Sequence, residues 1–115
     1  MSEITDLTNK ILAFRDERNW AQFHTPKNLA ISLSLEASEV LEHFQWKSDE
    51  EIKGYIKTHK EHIADELGDV MNYLLLLADI ADIDLAQATT NKIAKNEIKY
   101  PVDKARGSSK KYNQL

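Results

Sequence analysis

The chain of 115 residues contains no cysteine, only three glycines and two prolines, and no apolar run approaching the ~20 residues a membrane span needs. Without cysteine there are no disulfides and no thiolate chemistry, so a metal ion would have to be held by oxygen or imidazole. So little glycine and proline argues against a many-turned β protein or a low-complexity chain. The sequence opens with early acids and shows no basic-then-apolar leader, which sets the expectation of a cytoplasmic protein that does not engage the membrane.

What is present suits one all-α domain. Hydrophobic residues make up 42% and charged residues 30%, and the length allows one real core but not two. The net charge of -4 conceals an asymmetry: from Thr90 onward seven basic residues face two acids, whereas the remainder holds eight basic and seventeen acidic residues. An acidic body is a poor nucleic-acid surface and a reasonable cation site.

Hydrophobic periodicity and capping signals divide the chain into helices. Ser2 or Thr5 can cap a first helix running to about Asn19, which the cluster NWAQFHTP breaks, because Pro26 disfavours helical geometry at Thr25. Thr25 can then cap a second helix from Pro26 to about Trp46, with proline at its first position. Ser48 with Glu51 three residues later reads as a capping box for a short third segment that weakens near Gly54. The longest periodic segment runs from about Thr58 to about Ala81, and a last helix from about Asp84 to Lys99 stops before Pro101. A single domain over residues 1–100 and a basic tail over 101–115, ordered only through a partner or ligand, is the expected organisation.

The acids fall in a pattern on these helices. At roughly 100° per residue, Leu29, Leu33, Ala37, Val40 and Phe44 share one stripe of the second helix, with Glu36 and Glu39 along its edge and Glu42 turned further toward solvent. On the long helix the stripe is Ile63, Leu67, Val70, Leu74 and Leu77, and Glu66 and Asp69 take the corresponding edge. Packed antiparallel, the helices would bring both acid pairs to one side of the seam. Four carboxylates beside an apolar core repel and desolvate one another unless protonated or neutralised, and a hard divalent cation such as Mg²⁺ answers both costs. A single ExxE or ExxD is commonly only a solvated face; two pairs at matching edges are harder to read that way.

Other residues could complete a site. Trp20, Phe23 and His24 lie in the break before the second helix, Trp46 at its end, and Tyr73 one turn beyond Asp69. Such aromatics either pack or stack on a nucleobase. Lys92, Asn96 and Lys99 share one face of the last helix, either as a solvated basic face or as phosphate ligands. The run YLLLLADIA is apolar nearly all round its helix, since Leu75 and Leu76 leave the stripe of Leu74 and Leu77, and this suggests a subunit interface.

Together these segments resemble the all-α nucleoside triphosphate pyrophosphohydrolases of the MazG-like superfamily, in particular its dCTP pyrophosphatase branch. The family's ExxE and later ExxD are similar to Glu36-Ala-Ser-Glu39 and Glu66-Leu-Gly-Asp69, and FHTPKNL, EHFQW, DELGDVMNYL and KYPVDKARGSSKKY extend the likeness from Trp20 to Tyr112. The resemblance implies a bundle of four to five helices that assembles into a homodimer or homotetramer. It also implies Mg²⁺-dependent cleavage of the α-β phosphoanhydride, with Mn²⁺ as a substitute, to a nucleoside monophosphate and pyrophosphate. Under it, Glu36, Glu39, Glu66 and Asp69 are metal ligands, and Glu39 orients or deprotonates the attacking water. Trp20, His24, Trp46 and Tyr73 would surround base and sugar; Lys92, Asn96, Lys99 and Tyr100 would lie near the phosphates, with Arg106 reaching its own or a neighbouring site. The phosphoribosyl-ATP and dUTP branches are alternatives within the superfamily. A non-catalytic helical interaction module is the alternative outside it, and a di-iron bundle is disfavoured because no Glu-x-x-His occurs.

Overall fold

The computed structural model describes residues 2–115, and among them every regular element is helical. The six α-helices are α1 (Glu3–Glu17), α2 (Pro26–Glu42), α3 (Asp49–Thr58), α4 (Lys60–Ile80), α5 (Leu85–Lys99) and the four-residue α6 (Val102–Ala105). They fall into two compact units; the first ends at Ile83 and the second is Asp84–Leu115.

Helix boundaries in the first unit follow from identifiable caps. Ser2 Oγ accepts from the Thr5 N–H at 3.1 Å and starts α1. At the other end the Trp20 N–H reaches the Arg15 carbonyl at 3.1 Å and the Asn19 N–H reaches Asp16, while Asn19 takes φ 55. This is a Schellman ending with asparagine in the left-handed position. It turns Trp20 back against α1, its ring edge-on to Phe14 at 5.7 Å. Asn19→Ala should cost about 1 kcal/mol in urea unfolding because a Cβ without a local hydrogen-bonding group resists that φ, whereas Asn19→Gly should cost nothing measurable. Equal stability of the alanine variant would mean the turn is not held as described.

Thr25 caps α2 as its sequence suggests, accepting from the Asn28 N–H at 3.2 Å, with Pro26 in the first turn. The helix ends at Glu42, earlier than Trp46. Bonds from Phe44 and Lys47 to carbonyls three residues back tighten the chain into turns, which redirect it toward the Ser48 cap. The capping box at Ser48 and Glu51 is formed in both directions. With acids in its first turn and Lys57 in its last, α3 continues through Gly54 to Thr58 rather than weakening there.

The centre of this unit is α4, which packs most extensively on α2 and also touches α1 and α3. Leu75 and Leu76 are 2% and 4% exposed, and Leu29 of α2 is 2% exposed. The expectation that Leu75 and Leu76 face a subunit interface is therefore corrected: both are buried within their own chain. The exposed apolar side chains on α2 are instead Ile31, Leu35 and Leu41, and on α4 Leu67 and Ile80. The expected stripes also rotate. Ala37 and Leu67 are exposed, while Glu36 and Glu66 lie on the half-buried faces with Val40 and Val70.

Asp84 starts α5 by accepting from the Gln87 N–H at 3.0 Å. Beyond Pro101, α6 follows directly, and Tyr112–Gln114 forms a turn of 3-10 helix. The Tyr112 ring meets Tyr100 edge-on at 6.2 Å and lies 4.8 Å from the Lys99 ammonium, so aromatic contacts order a segment otherwise rich in polar residues. Among the described residues no helix is long and apolar enough to cross a membrane.

Candidate active site

Four carboxylates act on one another between α2 and α4. Burial first, then the neighbouring Glu39, then Asp69 and Glu66, push the Glu36 carboxyl from its ordinary range up to about 7. Glu36 Oε2 is buried and has no hydrogen-bond partner, while the imidazole of His43 meets Glu66 Oε2, an atom equally removed from solvent. Glu39 and Asp69 are more exposed. One acid of each pair thus sits in the packed face and the other at its rim.

This donor set fits a hard cation in kind: the ligands are oxygens, like charges crowd, and one buried oxygen lacks any partner. Among the described residues no three histidine, aspartate or glutamate side chains already stand at the spacing that clasps an ion.

Beside the acids is a cleft of about 450 Å³ between α1 and α4. Asp69 lines it and so belongs to both features. Of the residues expected around a base and sugar, Trp20, His24 and Tyr73 line the cleft, whereas Trp46, 86% exposed in the turn after α2, does not. His24 Nδ1 is buried without a partner; burial and then the nearby Arg15 cation hold its pKa below the ordinary value, leaving a neutral ring near pH 7. A neutral imidazole with one unused nitrogen can donate to or accept from a bound molecule.

Sequence reasoning missed the contribution of α1, which supplies Lys10, Phe14 and Arg15, and of Asn72 on α4. The available signal was the helical spacing of Leu7, Ile11 and Phe14, which marks the face of α1 turned to α4. Lys92, Asn96, Lys99, Tyr100 and Arg106 all belong to the second unit. There Asn96 and Tyr100 are half-buried, Lys92 and Arg106 are exposed, and the Lys99 ammonium lies over Tyr112.

An acid cluster opening onto an aromatic cleft in an all-helical chain defines a class of protein, and comparison with known proteins names it. Residues 31–115 match the MazG-like family, and the chain belongs to that family. Over 114 residues it is 42% identical to dCTP pyrophosphatase 1 of Mus musculus, covering 97% of this chain and 67% of that protein. Against dCTP pyrophosphatase 1 of Homo sapiens the identity is 39% over the same shares. Among solved structures, a pyrophosphatase from Archaeoglobus fulgidus superposes with a TM-score of 0.83 at 42% identity, over 88% of this chain and 94% of that one.

Proposed function

We propose that this protein is a metal-dependent nucleoside triphosphate pyrophosphohydrolase that cleaves the α-β phosphoanhydride of a ribo- or deoxyribonucleoside triphosphate, with dCTP or a modified analogue as the candidate substrate. The observation that carries the reading is Asp69, shared between the carboxylate cluster and the aromatic cleft. The two curated relatives are dCTP pyrophosphatases and the solved neighbour is a pyrophosphatase, which supports the reaction class.

Glu36, Glu39, Glu66 and Asp69 would hold Mg²⁺, for which Mn²⁺ can substitute. When bound, such an ion would supply charge neutralisation for the phosphates and the leaving pyrophosphate. Glu39, at the rim of the cluster, would orient or deprotonate the attacking water, with Glu36 and Glu66 behind it. Trp20 and Tyr73 present ring surface to the base, and His24 offers its free nitrogen to the base or sugar. Lys92, Asn96, Lys99, Tyr100 and Arg106, all in the second unit, are the cations and polar groups that the family resemblance assigns to the phosphates. The exposed Ile31 and Leu35 support assembly as a homodimer or homotetramer, which sedimentation at micromolar concentration tests; a monomer there removes the assembly from the reading.

Phosphorus NMR with a panel of canonical and modified nucleoside triphosphates, in Mg²⁺ and in EDTA, tests the reaction. Mg²⁺-dependent appearance of monophosphate and pyrophosphate is expected. Diphosphate with inorganic phosphate would show that another bond is cut, and no turnover across the panel would favour the interaction module. Glu39→Gln should keep the fold and lower turnover about 10²- to 10⁴-fold, the usual worth of a positioned base. Near-wild-type turnover in that variant would remove Glu39 from the chemistry.

A further inference from the structure

Three helices converge on one imidazole that the reaction above does not use. His43, at the end of α2, lies two turns beyond Glu36 on the same face. Its Nε2 meets Glu66 Oε2 from α4, and its Nδ1 is 2.5 Å from the hydroxyl of Tyr55 on α3. The His43 and Glu66 side chains are only 12% and 26% exposed, and neither His43 Nε2 nor Glu66 Oε2 has another polar partner.

Tyr55 is itself fixed. Its ring stacks on His59 at 4.0 Å and 10°, and the Lys47 ammonium stands 4.1 Å from its centroid. The hydroxyl is therefore delivered to His43 by a ring with little freedom to turn. Both ring nitrogens are thus engaged: Nδ1 stands at hydrogen-bond distance from the tyrosine hydroxyl, and Nε2 faces the Glu66 carboxylate at ion-pair distance.

We propose that His43, oriented by Tyr55, is a positioning residue that fixes the Glu66 carboxylate for the divalent cation. The inference rests on the metal reading given above. The imidazole occupies one carboxylate oxygen and leaves the other for the ion. It also selects one rotamer of a side chain that would otherwise swing away from the negative charge of Glu36, Glu39 and Asp69. Groups that hold a metal's ligands from behind commonly change affinity 10- to 100-fold when removed, although they never touch the ion.

The test uses the full chain and Mn²⁺ alone, at one fixed pH, with binding read from loss of the free-ion EPR signal. His43→Leu removes both contacts and should raise the Mn²⁺ Kd about 10-fold or more. His43→Gln, whose amide nitrogen can donate in place of Nε2, should restore most of the affinity. Tyr55→Phe keeps the ring packing, deletes only the hydroxyl and should raise Kd several-fold; it keeps the test decisive if His43→Leu does not fold. Unchanged Mn²⁺ affinity in a folded His43→Leu or in Tyr55→Phe overturns the proposal, as does a His43→Gln variant no better than His43→Leu. Wild-type protein that binds Mn²⁺ while the variants match it defeats this inference alone. Wild-type protein that binds no Mn²⁺ defeats the metal reading and this inference with it.

Discussion

Glu36→Gln should make the metal-free protein more stable at pH 8 and at the same time nearly inactive. The sign follows from the raised folded-state value of about 7. Unfolded, the carboxyl ionises in its ordinary range; folded, burial and the Glu39, Asp69 and Glu66 carboxylates keep it protonated longer. Its effect on stability is therefore most favourable below about pH 4.5, weakens as pH rises toward 7, and is fully unfavourable above that. After allowance for partial solvent screening, glutamine should recover about 1–2 kcal/mol at pH 8. In a domain of this size that raises Tm by several degrees in EDTA, with little difference at pH 5. Turnover should fall about 10²-fold or more, because an amide supplies a ligand oxygen without the charge. Calorimetry at the two pH values, with Mg²⁺ kinetics on the same samples, checks both halves. A variant less stable than wild type at pH 8 would mean that Glu36 is not the strained group described.

Trp20→Ala should separate binding from chemistry. The indole lines the cleft, is 43% exposed and is held edge-on to Phe14 rather than sealed in the core, so its removal should leave the fold standing. A stacked base commonly owes about 1–3 kcal/mol to its aromatic partner, which corresponds to a KM roughly 5- to 150-fold higher. The turnover number at saturation should stay within a few-fold, since the ring does not reach the reacting phosphorus in the proposed arrangement. Steady-state kinetics with dCTP and with a purine triphosphate give the comparison. An unchanged KM for both would place the base elsewhere than against Trp20.

The two acid pairs were legible because period and chemistry agree. Glu36 with Glu39 and Glu66 with Asp69 recur at matching places on two apolar helices, and a cation is the economical partner for such carboxylates. Their finer roles were not legible. A turn of roughly 100° per residue locates a face only to within about one residue, so periodicity puts Glu36 and Glu66 at an edge although they lie in the packed face. The same uncertainty gave Leu67 and Ala37 to the core. Leu75 and Leu76 show a different limit: an all-round apolar helix must be buried, yet composition does not say whether its own chain or another copy does the burying.

Caps and helix boundaries depend on residues a few positions apart, and the local chain carries enough information for them. Ser2, Thr25, Ser48 and Asp84 each satisfy an otherwise unpaired backbone N–H within the next turn, and those starts can be read directly from the amino acids. The all-helical class and the ExxE and ExxD placement follow from such short-range rules. Tertiary packing alone brought α1 against α4 to form a cleft with Arg15, Asn72 and Trp20 in its walls, and alone brought His43 between Tyr55 and Glu66. These partners come from different helices, and their meeting depends on how whole helix faces pack, a choice made by the summed burial of Leu29, Leu75, Leu76 and their neighbours rather than by any local signal.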